Sequence, residues 1–381
     1  MRLRAASLTA VVFLSATAFG QQPAPSPTPP PATRTPEPFA ASASSPTARH
    51  PEEGRPFIRT YAPLDVNAAG QNWSIVQDRR GVIYVGSQSG VIEFDGVNWR
   101  LIETKTLATV RSLAIDDAGV IYAGAQLDFG YLTPDASGTM TYQSLADKVP
   151  QDARGFTDVW RTWATKSGVL FQTEQAVYRW ANGTITVIRP PSRLNRSSLV
   201  DGQLYVTLPE TGLNLLDGDV FKPLPGTESL GSEVYPVIYR YDEKRLLIGT
   251  RFNGLFLYDG VSLTRFQTEL DEFLKSASLY KGIELADGTY VMATTNAGLV
   301  MMDHQGRRVM VIGRAQGLPS NANNVMADRE GAIWTTGERG MGRIEFPSPA
   351  TAFSEADGFN GSFTIARHQG RLFLAWQSGV S

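Results

Sequence analysis

One pattern returns along most of the chain, and its spacing limits the fold more than any other feature of the sequence. From Gln71 onward, a polar turn that usually ends in glycine leads into a short β-rich run, a second turn and another β-rich run. The copies lie about 41 residues apart on average, which is the spacing of propeller blades. The eight copies begin with DRRGVIYVGS at Asp78, DDAGVIYAGA at Asp116, TKSGVLFQTE at Thr165, VDGQLYVTL at Val200, DEKRLLIGT at Asp242, LADGTYVMAT at Leu285, DREGAIWTTG at Asp328 and RHQGRLFLAW at Arg367.

Each copy extends into a unit of four short strands. In the first copy these are WSIVQD, VIYVGS, GVIEFDG and WRLIE, which are rich in β-branched and aromatic residues and are separated by turn residues. Such runs are typical of an antiparallel meander. VIYV is apolar at consecutive positions, so both faces of that strand require burial. Blades that stack around an axis cover both faces, and the sequence therefore predicts an all-β fold, a β-propeller of four-stranded antiparallel blades.

The number of copies predicts how the ring closes. Copies one to seven extend to about Gly361, and a further strand, RPFIRTYAP, lies ahead of them at Arg55 to Pro63. We predict a seven-bladed propeller over residues 55–361, in which this strand closes the ring by pairing into the last blade. The eighth copy predicts the first strands of a second, truncated propeller over residues 362–381. We therefore expect the chain to be a fragment of a longer protein.

The N-terminus predicts export. Arg2 and Arg4 precede an apolar run at about 5–19, and Ala18 and Gly20 supply the small residues of a cleavage site. Residues 1–20 are therefore predicted to be a signal peptide. An uncleaved membrane anchor is the alternative, for which the run is short. Residues 21–54, rich in Pro, Ala, Ser and Thr, are predicted to be a linker.

Composition excludes several classes of function. The chain has no cysteine and three histidines, which argues against thiolate chemistry and multi-histidine metal sites. Its net charge of −2 argues against a nucleic-acid partner. We expect no cofactor, no metal and no catalytic residue, so the chain itself is predicted not to be an enzyme. A propeller lyase or hydrolase acting on polysaccharides is kept as the weaker alternative.

The chain after the linker resembles the two-component regulator propeller family. The residues that carry the resemblance are RPFIRTYAPLDVNAAGQNWSIVQDRRGVIYVGSQSGVIEFDGVNWRLI, from Arg55, and GAQLDFGYLTPDASGTMTYQSL, from Gly124. The family comprises exported sensor regions of bacterial receptors related to hybrid histidine kinases. The resemblance implies two seven-bladed propellers, a triple-tyrosine immunoglobulin-like domain, a transmembrane helix and a cytoplasmic output domain, and it implies saccharide ligands for several members. This sequence departs from that pattern because it ends inside the second propeller.

These observations predict an exported, periplasmic sensor module of a two-component-type receptor. Its expected partner is a small extracellular ligand, an oligosaccharide foremost, and any kinase or other output activity would lie in domains beyond this chain. We expect inner-membrane anchoring only through the missing C-terminal segment, and a homodimer in the full-length receptor. The alternative function is a stand-alone propeller for protein–protein interaction.

The ligand is predicted to bind on one face of the ring. In a propeller, the loops from strand two to three and from strand four to the next blade share a face, and in the first copy we expect one such turn from Gly86 to Gly90. Aromatic, amide and guanidinium groups in these loops suit a sugar or a uronate. The alternative is that the loops are only solvated and the tryptophans pack between blades. The predicted ligand-binding residues are Asn72, Trp73, Gln88, Asp128, Trp160, Glu174, Arg251, Asn253, Asn296 and Arg339.

Overall fold

The sheets of the protein form a ring of seven four-stranded antiparallel blades. The predicted signal peptide, and the predicted linker apart from Gly54, lie outside the described residues. The computed structural model describes residues 54–62, 70–105, 107–234, 236–319, 321–348, 350–353, 364–376 and 379–380.

Six of the blades consist of four consecutive strands. The ring thus repeats the predicted unit, and the prediction of an all-β propeller with four-stranded blades is confirmed. Blade 1 contains β2 (Asn72–Gln77), β3 (Ile83–Ser87), β4 (Gly90–Phe94) and β5 (Trp99–Ile102). Blade 2 contains β6 (Val110–Ile115), β7 (Ile121–Ala125), β8 (Phe129–Pro134) and β9 (Met140–Ser144). Blade 3 contains β10 (Arg161–Thr165), β11 (Gly168–Gln172), β12 (Val177–Ala181) and β13 (Thr184–Ile188). Blade 4 contains β14 (Ser197–Val200), β15 (Gln203–Leu208), β16 (Gly212–Asp217) and β17 (Val220–Pro223). Blade 5 contains β18 (Val237–Arg240), β19 (Leu246–Gly249), β20 (Leu255–Tyr258) and β21 (Leu263–Phe266). Blade 6 contains β22 (Leu279–Glu284), β23 (Tyr290–Thr294), β24 (Gly298–Met302) and β25 (Arg308–Ile312).

The seventh blade is completed by a strand from the other end of the chain. Its outer strand is β1, which pairs antiparallel with β28, with Ile58 opposite Ile344 and Tyr61 opposite Met341. The predicted closure of the ring by the N-terminal strand is therefore confirmed. The strands of this blade are β26 (Asn324–Ala327), β27 (Ile333–Gly337), β28 (Gly340–Ile344) and β1 (Ile58–Tyr61).

A further sheet follows the ring. It consists of β29 (Thr364–His368), β30 (Arg371–Trp376) and β31 (Gly379–Val380), which pair in antiparallel order. This sheet is compatible with the start of another propeller, as the eighth copy of the repeat predicts. The boundary between the two, placed at residues 361 and 362 by the sequence, lies outside the described residues.

Helical structure is confined to connections in the described part of the chain. The α-helix α1 (Asp271–Ala277) lies between blades 5 and 6. Short 3₁₀ turns occupy Ala146–Lys148, Gln151–Ala153, Glu228–Leu230 and Arg314–Gln316.

The second strand of each blade forms the centre of the core. β3, β7, β19, β23 and β27 are buried along their whole length, because the neighbouring blades cover both of their faces. Tyr84 and Val85, consecutive in β3, are both fully buried and belong to clusters on opposite sides of blade 1. Each fully buried side chain of this kind contributes roughly 1.5–3 kcal/mol.

The turn between the first and second strands is held by an aspartate. In blades 1, 2 and 7, a carboxylate oxygen of Asp78, Asp116 or Asp328 accepts a hydrogen bond from the backbone N–H four residues ahead, at 3.0, 2.9 and 2.7 Å. The glycine that ends each of these turns has a positive φ, +88° at Gly81. The D-x-x-G element of the repeat is therefore a turn signal.

Gly86 lies inside β3 and not in the turn that the sequence predicts from Gly86 to Gly90. A Cβ atom there would lie 2.9 Å from the carbonyl oxygen of Val110 in blade 2. Gly124 and Gly249, at the corresponding positions, face Val159 and Leu279 of their following blades at 2.5 and 2.6 Å. These glycines let the first strand of the next blade approach closely.

We expect Gly86→Ala to lower the free energy of unfolding by about 1–3 kcal/mol, because the added methyl group overpacks the contact between blades 1 and 2. The measurement is the urea midpoint of the purified chain. Gly313→Ala is the milder comparison, since its nearest atom would lie at 3.1 Å. Equal midpoints for Gly86→Ala and the unsubstituted chain would show that the blades can separate without cost.

Candidate ligand-binding site at the mouth of the central channel

Blades 1, 2 and 6 share an irregularity at the start of their innermost strands. The pairing with the second strand skips Trp73 in β2, Arg111 in β6 and Tyr280 in β22. Each of these is the extra residue of a β-bulge, which redirects a side chain away from the regular ladder. Trp73 and Tyr280 line one cavity, and Arg111 lies against Trp73.

Aromatic rings and guanidinium groups alternate at this end of the ring. The guanidinium carbon of Arg111 lies 4.3 Å from the ring centroid of Trp73 and 5.0 Å from that of Trp160. Arg196 lies 3.8 Å from the Trp160 ring. The two indoles meet edge to face at 6.5 Å. These cation–π contacts fix both indoles and occupy part of their ring surface.

Two carboxylates hold the guanidinium groups in place. Arg111 pairs with Asp158 at 2.9 Å, and Arg196, which is 4% exposed, lies 3.5 Å from Glu174. Glu174 also pairs with Arg193 at 2.8 Å. The two indoles are therefore positioned by a network of three arginines and two carboxylates.

The cavity has a volume of about 360 Å³ and opens at the mouth of the central channel. Its residues come from the loops between strands two and three, from the connections between blades and from the bulged starts of β2 and β22, on the face that the sequence predicts. Three arginines and one glutamate line it, together with amide side chains, so its charge is positive. The lining residues are Gln71, Trp73, Trp160, Arg251, Tyr280, Thr295, Arg314, Asn321, Ala322, Asn323, Glu338 and Arg339.

Four of the ten predicted ligand-binding residues come together here: Trp73, Trp160, Arg251 and Arg339. Arg251 is anchored by hydrogen bonds from its backbone N–H to Glu233 at 2.9 Å and from Nε to the Ser278 hydroxyl at 3.0 Å. The indole Nε1 of Trp73 is buried and has no hydrogen-bond partner among the described residues. Whether these four residues contact a ligand stays a prediction.

The other six predicted residues do not line the cavity. Asn72 is fully buried, and Glu174 belongs to the ion-pair network beneath the tryptophans. Gln88, Asn253 and Asn296 are exposed on their loops.

Asp128 has a structural position inside blade 2. It is 3% exposed, and its carboxylate accepts hydrogen bonds from the Phe129 backbone N–H at 2.8 Å and the Ser144 hydroxyl at 2.6 Å. Burial raises the pKa of this carboxyl, and burial also raises the pKa of the neighbouring Tyr142 hydroxyl. Asp128 therefore serves the packing of strands β8 and β9.

Sequence reasoning missed Tyr280 and Arg314. Aligning the starts of the first strands would have found Tyr280, because NWSIVQ and LYKGIE place Trp73 and Tyr280 at the same position. Arg314 lies in a 3₁₀ turn between blades 6 and 7 and has no counterpart in the repeat. Within the residues that the structure describes, no cluster of His, Asp and Glu side chains could hold a metal ion. No helix among them is long and apolar enough to cross a membrane.

No protein-family model matches the chain, and no curated protein matches its sequence. Solved structures do share its architecture. The extracellular domains of two hybrid two-component systems of B. thetaiotaomicron, BT3049 and BT4673, superpose with TM-scores of 0.61 and 0.60 at 18% identity. The match covers 84% and 86% of this chain, but the chain spans only 46% and 45% of those domains.

An enzyme also shares the architecture. The streptogramin B lyase structure superposes with a TM-score of 0.59 at 12% identity, over 76% of this chain and 98% of the lyase. The sequence identities are low in all three cases, so the similarity concerns the fold. The chain is thus a seven-bladed propeller that resembles in its fold both the extracellular domains of two hybrid two-component systems and a lyase.

Proposed function

We propose that this chain is the exported sensor propeller of a receptor and binds a small saccharide-like ligand in the mouth cavity. The observation that carries the proposal is the cavity itself, in which two indoles, a phenol ring, three arginines and amide side chains face one space of about 360 Å³. Small-molecule sites commonly measure about 300–1,000 Å³ and combine aromatic walls with a few polar groups.

The chemistry of the lining favours a sugar over a purely apolar ligand. Exposed ring surface on Trp73 and Tyr280 can stack on the apolar face of a pyranose, while Asn321 and Asn323 can bond its hydroxyls. Arg251 and Arg339 offer bidentate geometry to a carboxylate. A uronic acid satisfies all of these groups at once.

The receptor role is supported by the fold shared with the two extracellular domains. Because this chain spans less than half of each, the rest of such a receptor would supply the membrane anchor and the output. A catalytic role is not proposed, since neither described histidine, His304 or His368, lines the cavity.

We expect the purified chain to bind an acidic oligosaccharide from a panel of neutral and uronic-acid-containing glycans, measured by isothermal titration calorimetry. Trp73→Ala should weaken that binding by about thirtyfold or more, because a buried aromatic anchor commonly carries about 2 kcal/mol or more. Arg339→Gln should weaken it too, and its exposed position leaves the fold unchanged.

Arg80→Gln is the matched control for Arg339→Gln. Arg80 is exposed in a turn between first and second strands, at the opposite face of the ring. Binding that survives both cavity substitutions, or no binding to any glycan in the panel, would refute the proposed site.

A further inference from the structure

Two cationic side chains lie in the throat of the channel without a carboxylate partner. Arg161 and Lys281 both line the central channel, a space of about 690 Å³ that the first strands of the blades surround. In the described part of the chain, no carboxylate oxygen lies within the ion-pair distance of 4.0 Å from either side chain. Like charges that share an enclosed space without a counterion are costly unless an anion joins them.

The pair lies directly beneath the mouth cavity. Arg161 is the first residue of β10, and Lys281 follows the bulged Tyr280 at the start of β22. Tyr280 lines both the cavity and the channel, so it joins the two spaces. The guanidinium carbon of Arg161 lies 5.9 Å from the Tyr280 ring centroid.

The other charged side chains that line the channel either pair with each other or lie farther from the mouth. Asp201 and Arg240, at the ends of their strands away from the mouth, pair with each other at 2.7 Å. Glu284 is the last residue of β22, and burial raises the pKa of its carboxyl.

The strands packed against β22 bring no anion to Lys281. On β18 and β23 the titratable neighbours, besides Arg240, are Tyr239 and Tyr290, and burial raises the pKa of both hydroxyls. The adjacent β26 (Asn324–Ala327) contributes no titratable group. The tyrosines therefore stay neutral at ordinary pH, and the two cations face each other with no compensating charge.

Burial and the charge of Arg161 lower the pKa of Lys281 to about 7. The lysine is therefore partly neutral at neutral pH, and an anion that bound beside it would draw it into the charged form. Anion binding here would strengthen as the pH falls through about 7, because protonation and binding favour each other.

We propose that Arg161 and Lys281 form an oxyanion subsite in the channel throat, which receives a second acidic group, a carboxylate or a sulfate, of the ligand whose first carboxylate meets Arg251 and Arg339 in the mouth cavity. The claim that this ligand occupies the subsite rests on the proposed function. Its existence can be tested separately, because the oxyanion chemistry is the same for inorganic sulfate and for a charged sugar. A terminal acidic residue of an oligosaccharide would then point down the channel while the remaining rings occupy the mouth.

The first test uses sodium sulfate as the probe, with sodium chloride at equal ionic strength as the reference. Thermal unfolding of the whole chain is followed at about pH 6 and about pH 9, on either side of the Lys281 transition. We expect sulfate to raise the melting temperature more at the lower pH. In Lys281→Met the sulfate affinity should fall about tenfold, since one charge-assisted contact is lost. Lys244→Met, on an exposed turn, corrects for the general stabilisation that sulfate gives to folded proteins.

Lys281→Met is expected to fold. The folded chain binds fewer protons than the unfolded chain between about pH 7 and the ordinary lysine pKa, so the cost of Lys281 is largest below that window and disappears above it. The methionine variant should therefore melt higher than the unsubstituted chain at about pH 6, and the gap should close as the pH rises. Arg161→Gln serves as the second variant and should also weaken sulfate binding.

The outcomes separate the two proposals. Sulfate stabilisation that is the same in Lys281→Met, Arg161→Gln and Lys244→Met overturns the throat subsite. An acidic oligosaccharide that binds the unsubstituted chain and Lys281→Met equally also overturns it, while leaving the mouth cavity as a ligand site. Sulfate binding that depends on Lys281 and on pH supports the subsite, even if no glycan in the panel binds.

Discussion

Replacing Tyr61 with alanine is expected to lower the free energy of unfolding by about 3–5 kcal/mol, the range for truncating a large buried aromatic side chain. Tyr61 is the last residue of β1 and is 6% exposed. Its ring stacks on Trp334 of blade 7 at 5.4 Å and meets Phe94 and Trp99 of blade 1 edge to face at 5.6 and 5.2 Å. One side chain therefore joins the closing strand to both blades at the seam.

The measurement is equilibrium unfolding in urea, followed by tryptophan fluorescence because Trp99 and Trp334 report on the seam itself. Phe57→Ala is the matched control: it lies just ahead of β1 but is 46% exposed. A Tyr61→Ala chain that unfolds at the same midpoint as the Phe57→Ala chain would show that the ring does not depend on this contact.

The second large effect is expected from Asp328→Ala, at about 2–4 kcal/mol, because several hydrogen bonds to a buried carboxylate are lost together and each buried donor left without an acceptor costs about 1–3 kcal/mol. The Asp328 carboxylate accepts hydrogen bonds from the Ala332 backbone N–H at 2.7 Å, the Trp334 indole at 2.9 Å and Arg343 Nε at 3.1 Å. Its side chain is 2% exposed, whereas that of Arg343 is 26% exposed. Alanine would leave the buried indole N–H of Trp334 without its acceptor, while Arg343 would keep its pair with Glu345 at 3.4 Å.

Asp95→Ala is the control for this effect, since Asp95 holds an equally tight turn in blade 1 through the backbone N–H groups of Val97 and Asn98, at 2.8 and 2.6 Å, but is exposed. We expect a much smaller loss of stability there, because water can replace the hydrogen bonds of an exposed carboxylate. The two urea midpoints, compared with that of the unsubstituted chain, test the prediction. Similar losses of stability for both variants would mean that Asp328 stabilises the protein only through the turn that it holds.

Much of the fold could be predicted because a blade is local in sequence. The D-x-x-G turn recurs in blades 1, 2 and 7, and an apolar run follows the corresponding turn in each unit. The burial of VIYV on both faces requires neighbours on both sides. Closure by β1 could also be predicted, because RPFIRTYAP is a strand-like run that lies ahead of the first unit. The role of Gly86 could not, because its neighbour Val110 belongs to another blade.

The candidate site was predicted only in part, because position in a loop does not determine where a side chain points. Trp73 and Tyr280 reach the mouth through bulges, which depend on how two strands pair. Asp128 lies in a loop on the predicted face, but its carboxylate turns inward to the Ser144 hydroxyl. Lys281 and Arg161 belong to different blades and share only the channel, so the sequence around Lys281 gives no sign of its cationic neighbour.

The pairing of β1 with β28 also determines the order in which the blades can form. Six blades can form from contiguous chain as it emerges, but β1 must wait for a partner that is made about 280 residues later. Closing so long a loop costs little extra entropy at equilibrium, but it slows folding much more. Until Gly340–Ile344 is made, Ile58–Tyr61 is an unpaired strand that another chain could capture. We therefore expect an incomplete chain that lacks its last blade to aggregate more readily than the closed ring.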